Sequence, residues 1–255
     1  MIDLAGKTVL LTGASKGIGA ATARALGAAG CHLVAHYGGD RAGAEAATAE
    51  LPEERKLLVG ADLSRPEEVE RLWRQAQDWR GGVDVLVNNA AVMLSGGGID
   101  ADDSAWDETW ERTLAINVLA PARLLRRAVH HYRARGGGIV VTISSWAAQR
   151  GSTNADHLAY AASKAAIKAA TQTIARACAK ENILVYIVAP GVVRTKMSED
   201  FAAGMGGEAP VTAGLAMGEW VPPEDIANLV AFLATGASRH LSGATLDVNG
   251  ATYVR

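Results

Sequence analysis

The sequence predicts an α/β fold: one domain built on a doubly wound parallel sheet. Three observations carry this. Short runs rich in Val, Ile and Leu recur along the 255 residues, apolar without alternation, as strands buried on both faces are. Helical stretches separate them, so strand and helix alternate in βαβ units. A glycine-rich turn joins the first strand to the first helix.

The elements follow in order. Residues 7–12 read as a buried strand, then Gly13 to Gly19 as a turn, then 20–29 as an Ala-rich helix stopped by Gly30. Residues 33–37 complete the first βαβ unit. A helix over 42–51 ends at Pro52, and 56–60 is a strand leading to Asp62 and Leu63. Residues 66–79 form a helix with Pro66 in its first turn, and 83–87 is a strand running into Asn88, Asn89, Ala90 and Ala91. A long helical region covers 105–135, with a boundary or kink at Pro121. Residues 139–143 are a strand followed by Ser144 and Ser145. A helix carries Tyr160 and Lys164, and 184–188 is a strand ending at Pro190 and Gly191. A loop and weak helix span 196–220, a helix 222–235 and a last strand 244–248. No linker interrupts this pattern, so 1–255 reads as one domain with a flap at about 192–220.

Composition narrows the function. The formal charge of −2 points to neither nucleic acid nor an anionic membrane surface. The two cysteines, Cys31 and Cys178, show no C-x-x-C and no metal-ligand spacing, which suits a reduced, cytoplasmic setting and no metal. The apolar run at residues 9–11 is far too short for a signal peptide or a membrane span.

In an open parallel sheet, ligands bind beyond the carboxyl ends of the strands. The glycine turn, Asp62, Asn88-Asn89, Ser144-Ser145 and Pro190-Gly191 all fall there. The turn G-x-x-x-G-x-G reads as a phosphate cradle, because glycine lets the backbone approach and a helix N-terminus supplies N–H groups. Tyr160 and Lys164, four residues apart, share a helix face. A fixed ammonium about 4 Å from a phenol favours the phenolate by roughly 4 kcal/mol at an effective dielectric of about 20. The expected effect is a Tyr160 pKa lowered by up to about 3 units, into reach of neutral pH.

Together these residues resemble the short-chain dehydrogenase/reductase family, in its classical branch, over nearly the whole chain, and most the 3-oxoacyl-[acyl-carrier-protein] reductase-like members. Thr12-Gly13-Ala14-Ser15-Lys16-Gly17-Ile18-Gly19 resembles T-G-x-x-x-G-I-G, Asn88-Asn89-Ala90-Ala91 is similar to N-N-A-G, Tyr160 and Lys164 match Y-x-x-x-K, and Pro190 to Thr195 match P-G-x-x-x-T. Asp62, Asn117 and Ser145 match single positions of the family. The resemblance implies a Rossmann-type sheet of about seven strands in the order 3-2-1-4-5-6-7. It implies hydride transfer between a nicotinamide and a carbonyl or secondary alcohol. Tyr160 would exchange the hydroxyl proton and Ser145 would donate to the oxyanion. Lys164 would lower the Tyr160 pKa and bond the ribose, and Asn117 would hold a relay water. Ser144 rivals Ser145 for its role. Gly13, Ser15, Lys16, Gly17, Ile18, Gly19, Tyr37, Arg41, Asp62, Leu63, Asn89, Ala90, Ala91, Pro190, Gly191, Val193 and Thr195 would border the cofactor, with Tyr160 and Lys164.

The sequence departs from the family in places. Ser145 precedes Tyr160 by 15 residues, where about 13 are usual, so the segment before Tyr160 is longer. His157 in it reads as a solvated loop residue, or else a second acid or substrate contact. Asn249-Gly250-Ala251 stands where a Gly pair is usual, with local backbone consequences expected. An NAD enzyme places an acid at the end of the second strand; here that residue is Tyr37. Lys16 and Arg41 could face a 2′-phosphate, so NADP(H) is expected over NAD(H), unless Arg41 is merely solvated. Ser145, Trp146, His157, Met197 and Trp220 are the candidate substrate contacts, for an apolar or mixed ketone or a 3-oxoacyl thioester. Glu181 falls where carrier-protein reductases often carry Arg, with Arg133 and Arg135 still present nearby. The family implies a homotetramer or homodimer. A regulatory protein without turnover would break the Ser-Tyr-Lys set, and a non-redox lyase of the fold would replace Lys164; neither is seen.

Overall fold

The computed structural model describes residues 2–254. Strands β1 (Thr8–Leu11), β2 (His32–Tyr37), β3 (Lys56–Gly60), β4 (Val85–Asn88), β5 (Gly138–Ile143), β6 (Ile183–Pro190) and β7 (Thr245–Val248) form one parallel sheet, in the order β3-β2-β1-β4-β5-β6-β7. The lack of alternation in the strand sequences has a direct structural cause. Val9 and Leu11 of β1 join the core on one face, where Leu26 of α1 (Gly17–Ala28) and Ile226 and Val230 of α10 (Pro223–Thr235) meet them. Leu10 points the other way, into a second core with Leu72 and Trp73 of α3 (Pro66–Asp78) and Leu124 and Ala128 of α5 (Ala120–Arg135). Helix α7 (Leu158–Ala177) lies on this second face, with Ala175 in its core.

Several boundaries differ from expectation. Helix α2 (Arg41–Ala47) is shorter than 42–51, and its N-terminus is capped by Asp40, which accepts from the Gly43 N–H at 2.9 Å. Strand β6 is longer than 184–188, because it is buried along all eight residues. The helical region from α4 (Asp103–Leu114) to α5 is split by a π turn over Ala115–Leu119, just before Pro121. Proline has no N–H, so the α-helical donor for the carbonyl four residues back, that of Asn117, is missing. The weak helix in 196–220 is two short ones, α8 (Lys196–Ala203) and α9 (Glu208–Ala213), and a further turn, α6 (Ala147–Arg150), opens the segment before Tyr160.

Ala251 shows what the missing glycine does: its φ is +58°, a left-handed conformation that costs an L-residue roughly 1–2 kcal/mol. Ala251→Gly therefore releases strain, partly offset by the greater entropy of the unfolded chain. The expected gain is about 0.5–1 kcal/mol, read as a raised urea midpoint at unchanged slope; an unchanged or lowered midpoint would count against strain at this position.

Candidate active site

The strand ends that converge on the rim are tied by a small polar network. Thr12 Oγ1, at the end of β1, accepts from the N–H groups of Asn89 and Ala90 at 2.9 and 3.1 Å. Asn89 Nδ2 returns two bonds, to the carbonyls of Thr12 and Gly13 at 2.9 and 3.1 Å. Gly19 packs against this junction so closely that a Cβ there would lie 1.8 Å from the Gly13 carbonyl oxygen. From the other side, buried His36 of β2 receives the Gly13 N–H on Nδ1 at 3.1 Å. Its Nε2 must then carry the proton and donate to the Ala61 carbonyl at 3.0 Å. Burial lowers the His36 pKa, more than the Ala61 bond raises it, which keeps this neutral tautomer. The sequence reading passed over His36; the available signal was a polar residue inside an otherwise apolar strand.

A groove of about 730 Å³ runs along this rim, lined by Gly13, Ser15, Lys16, Gly17, Ile18, Gly19, Asn89, Ala90, Ala91, Ser145, Tyr160, Lys164, Pro190, Gly191, Val193 and Thr195, among others. Its glycine wall is the start of α1, whose first turn carries no acidic residue and whose N-cap, Lys16, makes no side-chain cap bond. The helix-terminal N–H groups and dipole are thus free for an anion, and the residues present suit the pyrophosphate of a dinucleotide. Thr195 sits against this wall: a Cβ on Gly17 would lie 3.0 Å from its Cγ2.

Four expected cofactor residues stand outside the groove lining. Arg41 opens α2 and pairs with exposed Glu45 at 2.8 Å. Asp62 turns back to accept from the Ser64 N–H and hydroxyl at 2.9 and 2.7 Å, and these two bonds lower its pKa. Leu63 is buried in the core facing α3, and the Tyr37 ring lies over Gly60.

A second cavity, of about 380 Å³, opens between α7 and the segment from Val192 to Trp220. It shares Met93, Ser145, Tyr160, Gly191, Met197 and Ser198 with the groove, so the two spaces meet at Ser145 and Tyr160. Ser145 Oγ accepts from the Ala147 N–H at 3.1 Å, and its hydroxyl reaches the Tyr160 phenol. The Ser144 hydroxyl donates instead to the Lys164 carbonyl at 3.1 Å, inside the protein. Trp146 and Met197 line the second cavity, but Trp220 does not. It is buried beneath α8, donating to Thr212 Oγ1 at 2.8 Å, with Arg194 stacked 4.6 Å from its ring. The expected substrate contact at Trp220 is therefore the core of this segment. His157 is also corrected: it is buried against Phe201 and lines the cavity, because the turn Ala155–His157 folds the loop inward.

The net Tyr160 pKa shift has the opposite sign to the one expected. Lys164 Nζ is 5.8 Å from the centre of the Tyr160 ring and donates to the Ile143 carbonyl at 2.9 Å. Burial without a carboxylate brings the Lys164 pKa down to about 8. For Tyr160, loss of hydration raises the pKa, and the Ser145 hydrogen bond only partly opposes it. Asn117 is fixed by three bonds: its Oδ1 accepts from the Val92 N–H at 2.9 Å, and its Nδ2 donates to the Val92 carbonyl and Ser163 Oγ at 2.8 and 3.0 Å. Its side chain holds the loop after β4 to the Tyr160 helix.

No group of three or more His, Cys, Asp or Glu side chains able to hold a metal occurs among the described residues. None of the described helices is long and apolar enough to cross a membrane. Near the start of β6, Arg133 is bound by Glu181 at 2.5 and 2.8 Å and Arg135 by Asp84 at 3.1 Å, which leaves neither cation unpaired.

Comparison with known proteins agrees with this geometry. A family model described as enoyl-(acyl carrier protein) reductase matches residues 13–251. The chain is 35% identical over 258 residues to 3beta-hydroxysteroid dehydrogenase 1 of Eggerthella lenta, covering 97% of this chain and 94% of that one. It is 33% identical over 260 residues to the 3-oxoacyl-[acyl-carrier-protein] reductase FabG of Escherichia coli, covering 99% and 100%. Among solved structures, a putative NAD(P)-dependent gluconate 5-dehydrogenase from Beutenbergia cavernae with bound NADP superposes with a TM-score of 0.86 at 31% identity, covering 98% of each chain. With the seven-stranded order, the glycine cradle and the Ser145–Tyr160–Lys164 set in place, the chain belongs to the short-chain dehydrogenase/reductase family of NAD(P)-dependent oxidoreductases acting on CH–OH or C=O groups.

Proposed function

We propose that this protein is an NADP(H)-dependent oxidoreductase that moves a hydride between nicotinamide and a ketone or 3-oxoacyl carbonyl, or the matching secondary alcohol, with Tyr160 as the acid and base. The observation that carries this reading is the meeting of the two cavities at Ser145 and Tyr160. The nicotinamide, when bound, supplies or takes the hydride. The chain's own groups bind, orient and move the proton. The first-turn N–H groups of α1 receive the pyrophosphate, and Asn89, Ala90, Ala91, Pro190, Gly191, Val193 and Thr195 wall the groove. Lys16 faces the 2′-phosphate. Arg41 joins it by leaving Glu45, an exposed pair whose loss costs little. Tyr37, Asp62 and Leu63 border the adenosine end.

Tyr160 keeps its proton at neutral pH, because burial holds its pKa above the ordinary value, and so it is set to protonate a carbonyl oxygen. Ser145 uses one lone pair on the Ala147 N–H, which leaves its hydroxyl proton to stabilise the developing oxyanion. Lys164 hydrogen-bonds the ribose and passes protons to Tyr160. Its pKa of about 8 lets it both hold and release one near neutrality. The Asn117 main-chain carbonyl, whose helical donor Pro121 cannot supply, holds the relay water. The segment from Val192 to Trp220 is the substrate flap. The pairing of Arg133 with Glu181 and Arg135 with Asp84 favours a free small-molecule substrate over one presented by an acidic carrier protein.

Three measurements test this reading. In a carbonyl screen followed by NADPH absorbance, Tyr160→Phe should lower kcat by roughly 10²- to 10⁴-fold; turnover that survives the change removes Tyr160 from the mechanism. The sign of the Tyr160 shift sets the pH profile. Reduction needs the phenol, so it should hold across neutral pH and fall only in alkali; oxidation needs the phenolate, so it should rise with pH, and a flat oxidation profile would contradict the assignment.

For the cofactor, kcat/KM should favour NADPH over NADH. Lys16→Ala with Arg41→Ala should cost roughly 10- to 100-fold with NADPH alone, the scale of one or two charge-assisted bonds. A wild-type preference for NADH overturns that choice.

The free, buried thiols Cys31 and Cys178 suit a cytoplasmic protein, and the family suggests a homotetramer. Light scattering on the purified protein should give four times the 26.5 kDa chain mass; a monomer mass would refute it.

A further inference from the structure

The cavity beside Tyr160 is mostly apolar, walled by Met93, Trp146, Val192, Met197, Phe201 and Leu215. Its polar lining residues differ in their state. Ser152 is engaged by the Asn154 N–H at 3.1 Å, and Arg150 is exposed and stacked on Trp146 at 4.8 Å. Apart from Ser145, His157 is the buried polar residue among the described lining residues, at 5% exposure. Its backbone N–H is satisfied by the Asn154 carbonyl at 3.1 Å, but its ring has no hydrogen-bond partner among the described residues, and Nδ1 is fully enclosed. A buried polar group left unpaired is costly and uncommon; Nδ1 is sealed off, whereas Nε2 is unpaired and not enclosed, so Nε2 is the ring atom that a ligand in the cavity can reach.

Its position says which ligand atom that is. His157 ends the turn Ala155–His157 and Tyr160 lies three residues on, in the first turn of α7. His157 is thus the N-cap residue of the helix that bears Tyr160, and both residues line the same cavity. The His157 ring also lies against Phe201 of α8, with centroids 5.5 Å apart and planes tilted by 40°. It is thus clamped between the helix that bears Tyr160 and the flap. Burial lowers its pKa, while neighbouring Asp156 opposes that shift less strongly, so at neutral pH the ring offers one N–H and one lone pair.

We propose that His157 hydrogen-bonds a second oxygen of the substrate, so that the site prefers 1,2- or 1,3-dioxygenated carbonyl compounds, such as hydroxyketones, diketones and 3-oxoesters, over isolated ketones. The reacting oxygen meets Tyr160 and Ser145, and the second oxygen, two or three carbons away, meets the imidazole. His157 makes no covalent bond and moves no proton in this role; it discriminates between substrates. An isolated ketone places a methylene against the ring and leaves it unpaired, and such a mismatch is where polar sites gain selectivity.

The proposal rests on the assignment of Tyr160 as the acid, and the test separates the two. Ethyl 3-oxobutanoate and 2-heptanone have equal chain lengths and differ in the second oxygenated carbon. Wild-type enzyme with NADPH should show the higher kcat/KM for the oxoester. His157→Phe, which keeps the ring packing on Phe201, should lower oxoester kcat/KM by roughly 10- to 100-fold and leave 2-heptanone unchanged or improved. His157→Gln, which still donates and accepts, should recover most of the loss. NADPH affinity and melting temperature should match wild type in both variants. Parallel losses on both compounds would assign His157 a merely structural role and overturn the proposal, as would oxoester turnover indifferent to His157→Phe. If wild type binds NADPH yet reduces neither compound nor any other carbonyl, the function proposed above fails and this inference fails with it. If 2-heptanone is reduced normally but the oxoester gains nothing from His157, the function stands and only the role of His157 falls.

Discussion

Every strand of this sheet except its edges is apolar on both faces, and that constraint organises the molecule. A chain built so has few places to put polar chemistry, because a hydrogen-bonding group inside either core needs a partner there. The rim where strands give way to loops is the exception. Thr12, Asn89, Ser145 and the Pro190-Gly191 turn all stand within a residue or two of a strand end. The network between Thr12, Asn89 and Gly13 ties two adjacent strand ends into one surface. His36 extends the constraint: it is polar within a buried strand because both its nitrogens find main-chain partners.

Much of this was legible in the sequence, since it depends on local spacing. The glycine turn, the Tyr160–Lys164 spacing and the runs of apolar residues are properties of a few neighbours in the chain, and the strand order follows once the family is recognised. What was hidden depends on burial and on distant partners. His157 reads as a polar loop residue, yet a short turn folds it under Phe201, more than forty residues away. Trp220 reads as a large apolar side chain free to meet substrate, yet Thr212 and Arg194 hold it in the core of the flap. Ser144 and Ser145 are equivalent as letters, and only the Lys164 carbonyl, which engages Ser144, separates them. Pro121 stands four residues after Asn117, so the sequence already shows that the α-helical donor for the Asn117 carbonyl is missing.

The sign of the Tyr160 shift shows how residue spacing alone can mislead about energetics. The Coulomb argument assumed a full ammonium close to the phenol oxygen. In the fold both groups are withdrawn from water, and withdrawal penalises each charged form. Lys164 therefore also weighs on stability. With its pKa brought down to about 8 in the fold from about 10.4 in an unfolded chain, the unfolded state binds more protons between those values. Stability then rises with pH across that window and is lowest below it. An amine that loses its proton closer to neutrality is obtained at the expense of the fold, in keeping with stability–activity trade-offs.

Met197 and Ser198, at the start of α8, form part of the wall of both the groove and the cavity beside Tyr160. One turn of helix is thus common to two binding events. A shift of that turn toward an occupant of one space reshapes the other, and equilibrium linkage makes such coupling reciprocal: whatever one occupant does to the affinity of the second, the second does equally to the first. Any coupling between the two spaces therefore runs through the position of a single helical turn.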